Sequence, residues 1–217
     1  MPAQAFDARV RAAFASLKAI RRFDEMVAHA IPIGDGLGYL ACVCELHADD
    51  DQTIAKLAAW REAATSFHNT FQVTFDGTKR WLRERLLDVP HRILFLVLTR
   101  HGHAVGHMGF SNAVPRDSLL EVDNVIRGVS GVEPGIMSAG IRALLGWADA
   151  AVAPAGYWLR TYGDNLRAIE FYRRLGFRVE GTVPLRGVER GGQTVYEPRA
   201  EGDTAPPDLS HVTMRYR

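Results

Sequence analysis

Between Arg127 and Gly135 the chain reads RGVSGVEPG, one arginine, one serine and three glycines just ahead of a helical pattern. Free amides at a helix N-terminus preceded by glycines suit an anion, because unpaired N–H groups and the helix dipole both favour negative charge. A phosphate cradle is one reading of this stretch, and a flexible strand-to-helix connection is the other. The GxGxxG and Gly-Lys-Ser/Thr fingerprints of dinucleotide and P-loop sites are absent. Immediately upstream, LLEVDNVI places Glu121 and Asp123 on one face by two-residue alternation, with Asn124 facing the other way. Carboxylates in a strand of Leu, Val and Ile are unusual in a core unless paired or functional, so a proton-transfer role stands beside a half-exposed face or a salt bridge. Downstream, DNLRAIEFYRRLGF puts Asn165, Ala168, Ile169 and Tyr172 on one helical face, capped by Asp164 and ended by Gly176. Taken alone, an aromatic at this spacing is core.

The elements that would position these residues follow from periodicity. Val10, Phe14, Leu17 and Ile20 make one face of an N-terminal helix, and IPIGDGLG, at 31 to 38, breaks the pattern before a strand at about 39 to 47. This spacing divides the chain into a helical appendage, 1–35, and a main domain, 36–217. A helix carrying Ile54, Leu57 and Ala58 follows a cap at Asp49 to Asp51, then an aperiodic segment, then a short helix KRWLRERLL stopped by Pro90. RILFLVLT and HAVGHMGFSN flank a glycine turn and predict a hairpin, with the first strand apolar on both faces. A strand at 119–126, a helix beginning near Pro134, a strand GYWLRTY, the Tyr172 helix, a strand at 177–183 and a closing strand SHVTMRYR complete the order. The fold class is mixed α/β with a partly antiparallel sheet flanked by helices.

Bulk composition excludes several functions. The 217 residues are 47% hydrophobic and 24% charged, with 26 basic against 25 acidic residues. A formal charge of +1 gives no electrostatic case for nucleic acid or an anionic membrane, so an anionic ligand must be held locally. Charged residues near the N-terminus oppose a secretory signal, and no apolar run approaches the roughly 18 residues of a membrane span. A cytoplasmic location is the expectation. Cys42 and Cys44 read as buried thiols of a core strand sharing a face with Leu40 and Leu46; a metal site would need His47 and a second ligand pair that the spacing does not offer. His103 and His107 share a strand face and read as packed or solvent-edge residues.

The set N..AI.FY.RLGF, following YWLRTY and preceded by a strand, glycine loop and helix, resembles the GNAT family of acetyl-CoA-dependent N-acetyltransferases over roughly residues 39 to 217. The resemblance implies acetyl-CoA as cofactor, and a loop of the Arg127 to Gly135 type binding its pyrophosphate. Val125, Ile126, Arg127, Gly128, Ser130, Gly131, Gly135 and Ile136 become cofactor-binding candidates, with Asn165, Ala168 and Tyr172 at the thiol end. The family spacing R/Q-x-x-G-x-G/A meets Arg127 followed by Ser130 and Val132, a departure that implies a longer or reshaped cradle. Tyr172 matches the tyrosine that protonates the leaving thiolate, and a phenol of pKa about 10 lies near enough to a thiol of about 8.5 for that transfer. A backbone N–H near Asn124 or Val125 would meet the oxyanion. Glu121 and Asp123 are the candidate bases, with Glu121 preferred.

The segment WREAATSFHNTFQVTFDGTKRWL has a looser resemblance to GNAT members that acetylate amino groups on nucleotide-linked sugars. Trp60, Phe67, His68 and Phe71 could stack on rings and Arg61 could meet a diphosphate, while the plain alternative is aromatics sealing a helix to the sheet. The expected partner is a small-molecule amine, with neither nucleic acid nor membrane, and the last strands are compatible with a homodimer. A protein N-terminal acetyltransferase and a non-catalytic acyl-CoA-binding protein are the two rivals.

Overall fold

The computed structural model describes residues 2–64, 68, 72–190, 193–200, 202 and 206–216, without the side chains of Pro2 and Gln193. The chain forms two compact units, Met1–Ala63 with Val73–Tyr157, and Ala64–Gln72 with Trp158–Arg217.

In the first unit, helix α1 (Pro2–Lys18) buries Phe6, Val10, Phe14 and Leu17, a four-residue stripe at spacings of three and four. Phe14 stacks on Phe110 at 6.3 Å and on Trp147 at 6.1 Å, joining α1 to the sheet and to α5 (Ile136–Ala151). After a short helix α2 (Phe23–Ala28), strands β1 (Ile31–Ile33), β2 (Gly38–Cys42), β3 (Ile93–Thr99), β4 (Ala104–Val114) and β5 (Leu119–Arg127) lie in sequence order, each antiparallel to the next. Six of the seven residues of β3 are buried, as expected for a central strand covered on both faces. Helix α5 runs across β1 to β4 with Ile141, Leu144 and Ala148 fully buried.

Several local readings change. The segment expected only to break the pattern contains β1, which pairs Ile31 with Leu40 and Ile33 with Gly38 around the 34–37 turn. Its three residues are too few to show alternation. Strand β2 stops at Cys42, and Glu45–His47 is a 3-10 turn in which His47 Nδ1 accepts from the Cys44 N–H at 3.2 Å. Cys42 and Cys44 are both buried, and burial pushes the Cys42 thiol far up, but Leu46 does not continue their strand face. Helix α3 (Asp51–Ala63) precedes α4 (Phe75–Trp81), whose cap is Thr74, accepting from Gly77 N–H at 3.0 Å; α4 widens into a π-helical turn over Leu82–Leu87. The buried Lys18 ends that turn: its ammonium donates to the carbonyls of Leu86, Leu87 and Val89 at 3.3, 2.9 and 2.7 Å. A cation at a helix C-terminus satisfies both the orphan carbonyls and the dipole.

The second unit holds most of β6 (Gly156–Tyr162), helix α6 (Leu166–Arg174), and strands β7 (Arg178–Arg190), β8 (Gln193–Pro198) and β9 (Leu209–Tyr216), in the order β6-β9-β7-β8. Strand β7 is antiparallel to both β8 and β9. It runs seven residues past the expected end at 183, and β8 lies in a stretch to which the sequence pattern assigns no element. The polar runs RGVER and TVYEP are exposed or half-buried on these strands, so no apolar alternation marks them. Among the described residues, no helix is long and apolar enough to cross a membrane.

Candidate active site

The ladder between β4 and β5 shifts register at two places, between His107 and Gly109 and between Phe110 and Asn112, and the first of these shapes the site. His107 pairs with Ile126 and Gly109 with Asp123, so β5 has one residue more than β4 across that interval. The surplus is taken up at Asn124, whose φ of +53° is left-handed, a conformation that Asn tolerates better than most residues. The bulge turns the Asn124 carbonyl out of the ladder, and His107 Nδ1 lies 2.6 Å from it. A carbonyl only accepts, so Nδ1 carries the proton and Nε2 is a bare lone pair, which has no partner among the described residues. His107 is fully buried, and desolvation pushes its pKa down to about 4 despite that hydrogen bond, with Arg61 lowering it further. The imidazole is therefore neutral and serves as a fixed donor.

Trp60 of α3 covers this histidine at 6.1 Å and also lies on Gly128, where any Cβ would overlap the indole. Trp60 is 8% exposed, so little of the indole meets solvent. Arg61 lies over the Trp81 ring at 4.4 Å, and burial lowers its pKa.

Cross-strand neighbours share a face, so Asp123, opposite Gly109, points to the side His107 occupies, and Glu121 with it. That much agrees with the alternation read from LLEVDNVI. Asn124 does not face away: the left-handed bulge swings its amide round to donate to Asp123 Oδ2 at 2.8 Å. Glu121 is 5% exposed, and Asp123 is half-buried. Two-residue alternation fails here because a bulge resets it.

Beyond β5, the N–H groups of Gly128 and Val129 both donate to the Val105 carbonyl, at 2.9 and 3.0 Å. Arg127 folds back on its own loop, donating to the carbonyls of Val129 at 3.1 Å and Val132 at 3.0 Å. Gly131 and Gly135 have φ of +80° and +86°, and a Cβ at either would meet open space. Helix α5 opens at Ile136 with Gly135 as its cap, so Pro134 lies in the preceding turn and not in the first helical turn. The Ile136 N–H is used by Glu133 at 3.2 Å, and the Glu133 carboxylate lies 3.9 Å from Arg100. The exposed amides of Ser130, Gly131 and Gly135 remain, at the positive end of a sixteen-residue helix. Val125 is half-buried and Ile126 buried in β5.

In the second unit, α6 is capped by Asn165 and not by Asp164: Asn165 Oδ1 accepts from the Ala168 N–H at 3.1 Å. Asp164 is thereby left to meet His68, with its Oδ2 2.7 Å from Nε2. Ile169 and Tyr172 are buried, and Tyr172 packs edge-on against Phe171 at 5.2 Å and Phe177 at 5.6 Å. Phe67 and Phe71 lie outside the described residues.

The first unit thus brings together Trp60, Arg61, Glu121, Asp123, Val125, Ile126 and the glycine loop. The second holds His68, Asn165, Ala168 and Tyr172. Sequence reasoning missed His107, because a lone strand histidine carries no signal until its partner carbonyl is known. It also missed Asp164 as a partner of His68, 96 residues away. Among the described residues, no group of His, Cys, Asp and Glu could hold a metal ion.

Comparison with known proteins now bears on the whole arrangement. A family model described as an acetyltransferase (GNAT) domain matches residues 43–178. The chain is 29% identical over 148 residues to the L-amino acid N-acetyltransferase AaaT of Escherichia coli (strain K12), an alignment covering 67% of this chain and 88% of that protein. In structure it is similar to the Salmonella typhimurium acetyltransferase that modifies the N-terminal serine of the 50S ribosomal subunit protein L7/L12, with a TM-score of 0.62 and 16% identity over 85% of this chain and 98% of that one. It is also similar to the spermidine N-acetyltransferase of Vibrio cholerae in complex with CoA and spermine, with a TM-score of 0.59 and 13% identity over 84% and 96%. These structures share the fold, a mixed α/β arrangement with an N-terminal helix and a mostly antiparallel open sheet flanked by helices. The resemblance to enzymes of nucleotide-linked amino sugars draws no support from them. A family match spanning more than half of the chain, over the bulged strand, the glycine loop and the Tyr172 helix, makes this protein a member of the GNAT family of N-acetyltransferases, with acetyl-CoA as its acyl donor.

Proposed function

We propose that the protein acetylates the primary amine of a small molecule, with the α-amine of a free amino acid as the first acceptor class to test. The observation that carries the chemistry is the bulge at Asn124. His107 holds the Asn124 carbonyl toward itself, and a planar trans peptide then aims the Val125 N–H in the opposite direction, off the ladder to β4. A fixed N–H of this kind can meet the charge that develops on a thioester carbonyl oxygen.

Acetyl-CoA supplies an activated acyl group; the chain's part is to hold it, orient it and manage protons. The amides of Ser130, Gly131 and Gly135 are the groups suited to the pyrophosphate, since the left-handed glycines face open space and those of Gly128, Val129 and Ile136 are already engaged. Arg127 shapes this loop through two carbonyls, which leaves backbone amides as the main anion ligands. Asn165 and Tyr172 serve the thiol end, Tyr172 as the acid for the departing sulfur. Asp123 braces the bulge through Asn124, and Glu121 is buried two residues before it in β5. The acceptor class rests on the amino acid acetyltransferase relative, whose length this chain matches over 88%. Amino sugars rank lower because Trp60, the aromatic expected to stack, is already spent on Gly128.

The test is CoA release from acetyl-CoA across free amino acids, amino sugars, polyamines and N-terminal peptides. Turnover confined to free amino acids is expected. Peptide-only turnover would support the protein N-terminal reading, and acetyl-CoA binding without any turnover would remove the enzymatic one. In the active pairing, Tyr172→Phe should lower kcat at least tenfold with little change in acetyl-CoA affinity.

A further inference from the structure

Acetylation needs a neutral amine, whereas an aliphatic primary amine arrives at pH 7 largely as an ammonium ion. Neither candidate carboxylate of β5 is well placed to take its proton: Glu121 is almost wholly buried, and Asp123 is tied to the Asn124 amide. We infer that His68, oriented by Asp164, is the group that deprotonates the acceptor ammonium, a role that rests on the N-acetyltransferase reading above.

The geometry belongs to the second unit. His68 Nε2 lies 2.7 Å from Asp164 Oδ2, and Asp164 immediately precedes Asn165, the cap of α6. An ionised carboxylate only accepts, so Nε2 carries the proton and Nδ1 presents its lone pair. The imidazole stands edge-on to Tyr162 of β6 at 4.7 Å and to Tyr196 of β8 at 5.9 Å, and Tyr162 packs on His211 of β9 at 4.8 Å. These walls fix the ring plane while both dyad side chains keep a share of solvent, 30% for His68 and 50% for Asp164. His68 has a φ of +45°, a strained value for a non-glycine residue that the surrounding contacts must sustain.

Burial, Tyr196 and Asp164 all raise the Tyr162 phenol, which stays neutral, and burial with the nearby Arg160 lowers His211, which stays neutral too. Asp164 is then the counter-charge for a His68 imidazolium, the same division of labour as in any base oriented by a carboxylate. In the step itself, the ammonium N–H bond breaks and its proton passes to His68 Nδ1. The nitrogen lone pair forms the C–N bond as the C–S bond breaks. The nitrogen's second proton balances the one delivered to sulfur, and the imidazolium returns its proton to water, so the net products are amide, free CoA and one proton.

The experiment follows kcat/KM for the amine against pH at saturating acetyl-CoA. His68→Gln should lose about 100-fold near pH 7 and recover toward wild type near pH 10, where the amine deprotonates itself. A loss of the same size at every pH would assign the dyad a purely structural role and overturn the proposal, as would wild-type rates throughout. Asp164→Asn keeps a hydrogen-bonding group without the charge, so the acid limb should move to lower pH; an unmoved limb counts against the role even if His68→Gln folds poorly. Acetyl-CoA affinity should stay unchanged in both variants. Wild-type protein that binds acetyl-CoA but turns over no amine would instead overturn the parent reading and this one with it.

Discussion

At the scale of single residues, the buried His107 makes the sharpest prediction. Its pKa falls from 6.5 to about 4 because burial penalises the charged ring more than the Asn124 carbonyl rewards it. Above pH 6.5 both folded and unfolded chains hold it neutral, and stability is complete. Between 6.5 and 4 the unfolded chain binds a proton that the folded one refuses, so stability falls with falling pH, by on the order of 3 kcal/mol once below about 4. Urea midpoints measured across this range should show that slope, and His107→Asn, which keeps a donor near the Asn124 carbonyl, should abolish it. His107→Leu should remove the slope too but cost about 1–3 kcal/mol at pH 7, because the bulge carbonyl is left buried and unpaired. It should also lower kcat more than it raises KM, since the Val125 N–H proposed to meet the transition-state oxyanion would be misaimed. The residue was visible in the sequence, but its partner was not, because the pairing depends on a bulge that alternation cannot foresee.

At the scale of elements, helix α3, strand β5 and the glycine loop meet where Trp60 rests on Gly128. The first residue of the loop after β5 has to be glycine because the indole occupies the space of a side chain. Gly128→Ala should therefore cost about 1–3 kcal/mol through overpacking and weaken acetyl-CoA binding by displacing the loop. Calorimetric titration of the variant checks both the loop and the assignment of its amides. Weakened stability with unchanged affinity would separate Gly128 from the cradle. The same elements show what periodicity could and could not deliver. Helices α1 and α5 were legible because each buries a long stripe, whereas β1 and β8 were not, being respectively too short and too polar to alternate.

At the scale of the whole molecule, a formal charge of +1 gives no net field to gather an anionic cofactor, so its affinity has to be supplied locally, the part proposed for the loop amides ahead of α5. Binding to the native chain alone stabilises it by mass action. Acetyl-CoA at 100 times its Kd should add about 2.7 kcal/mol, read as a higher thermal midpoint that rises with ligand concentration. A midpoint indifferent to acetyl-CoA would contradict a preformed cradle. An amine added alone should shift it far less.

The sequence by itself determined the class of the molecule: amphipathic stripes, a doubly apolar central strand, a glycine loop before a long helix, and an Asn-to-Tyr face on a short one. These are local patterns, legible because helix and strand periods are set by backbone geometry. Only the tertiary structure decided which polar groups face one another. It turned Asn124 toward Asp123, set His107 against the bulge carbonyl, took Trp60 out of the pool of stacking residues, and brought Asp164 to His68 across 96 residues. The physical reason is that hydrogen-bond partners and pKa values depend on distances between segments far apart in the chain, and on left-handed turns that a one-dimensional pattern does not encode.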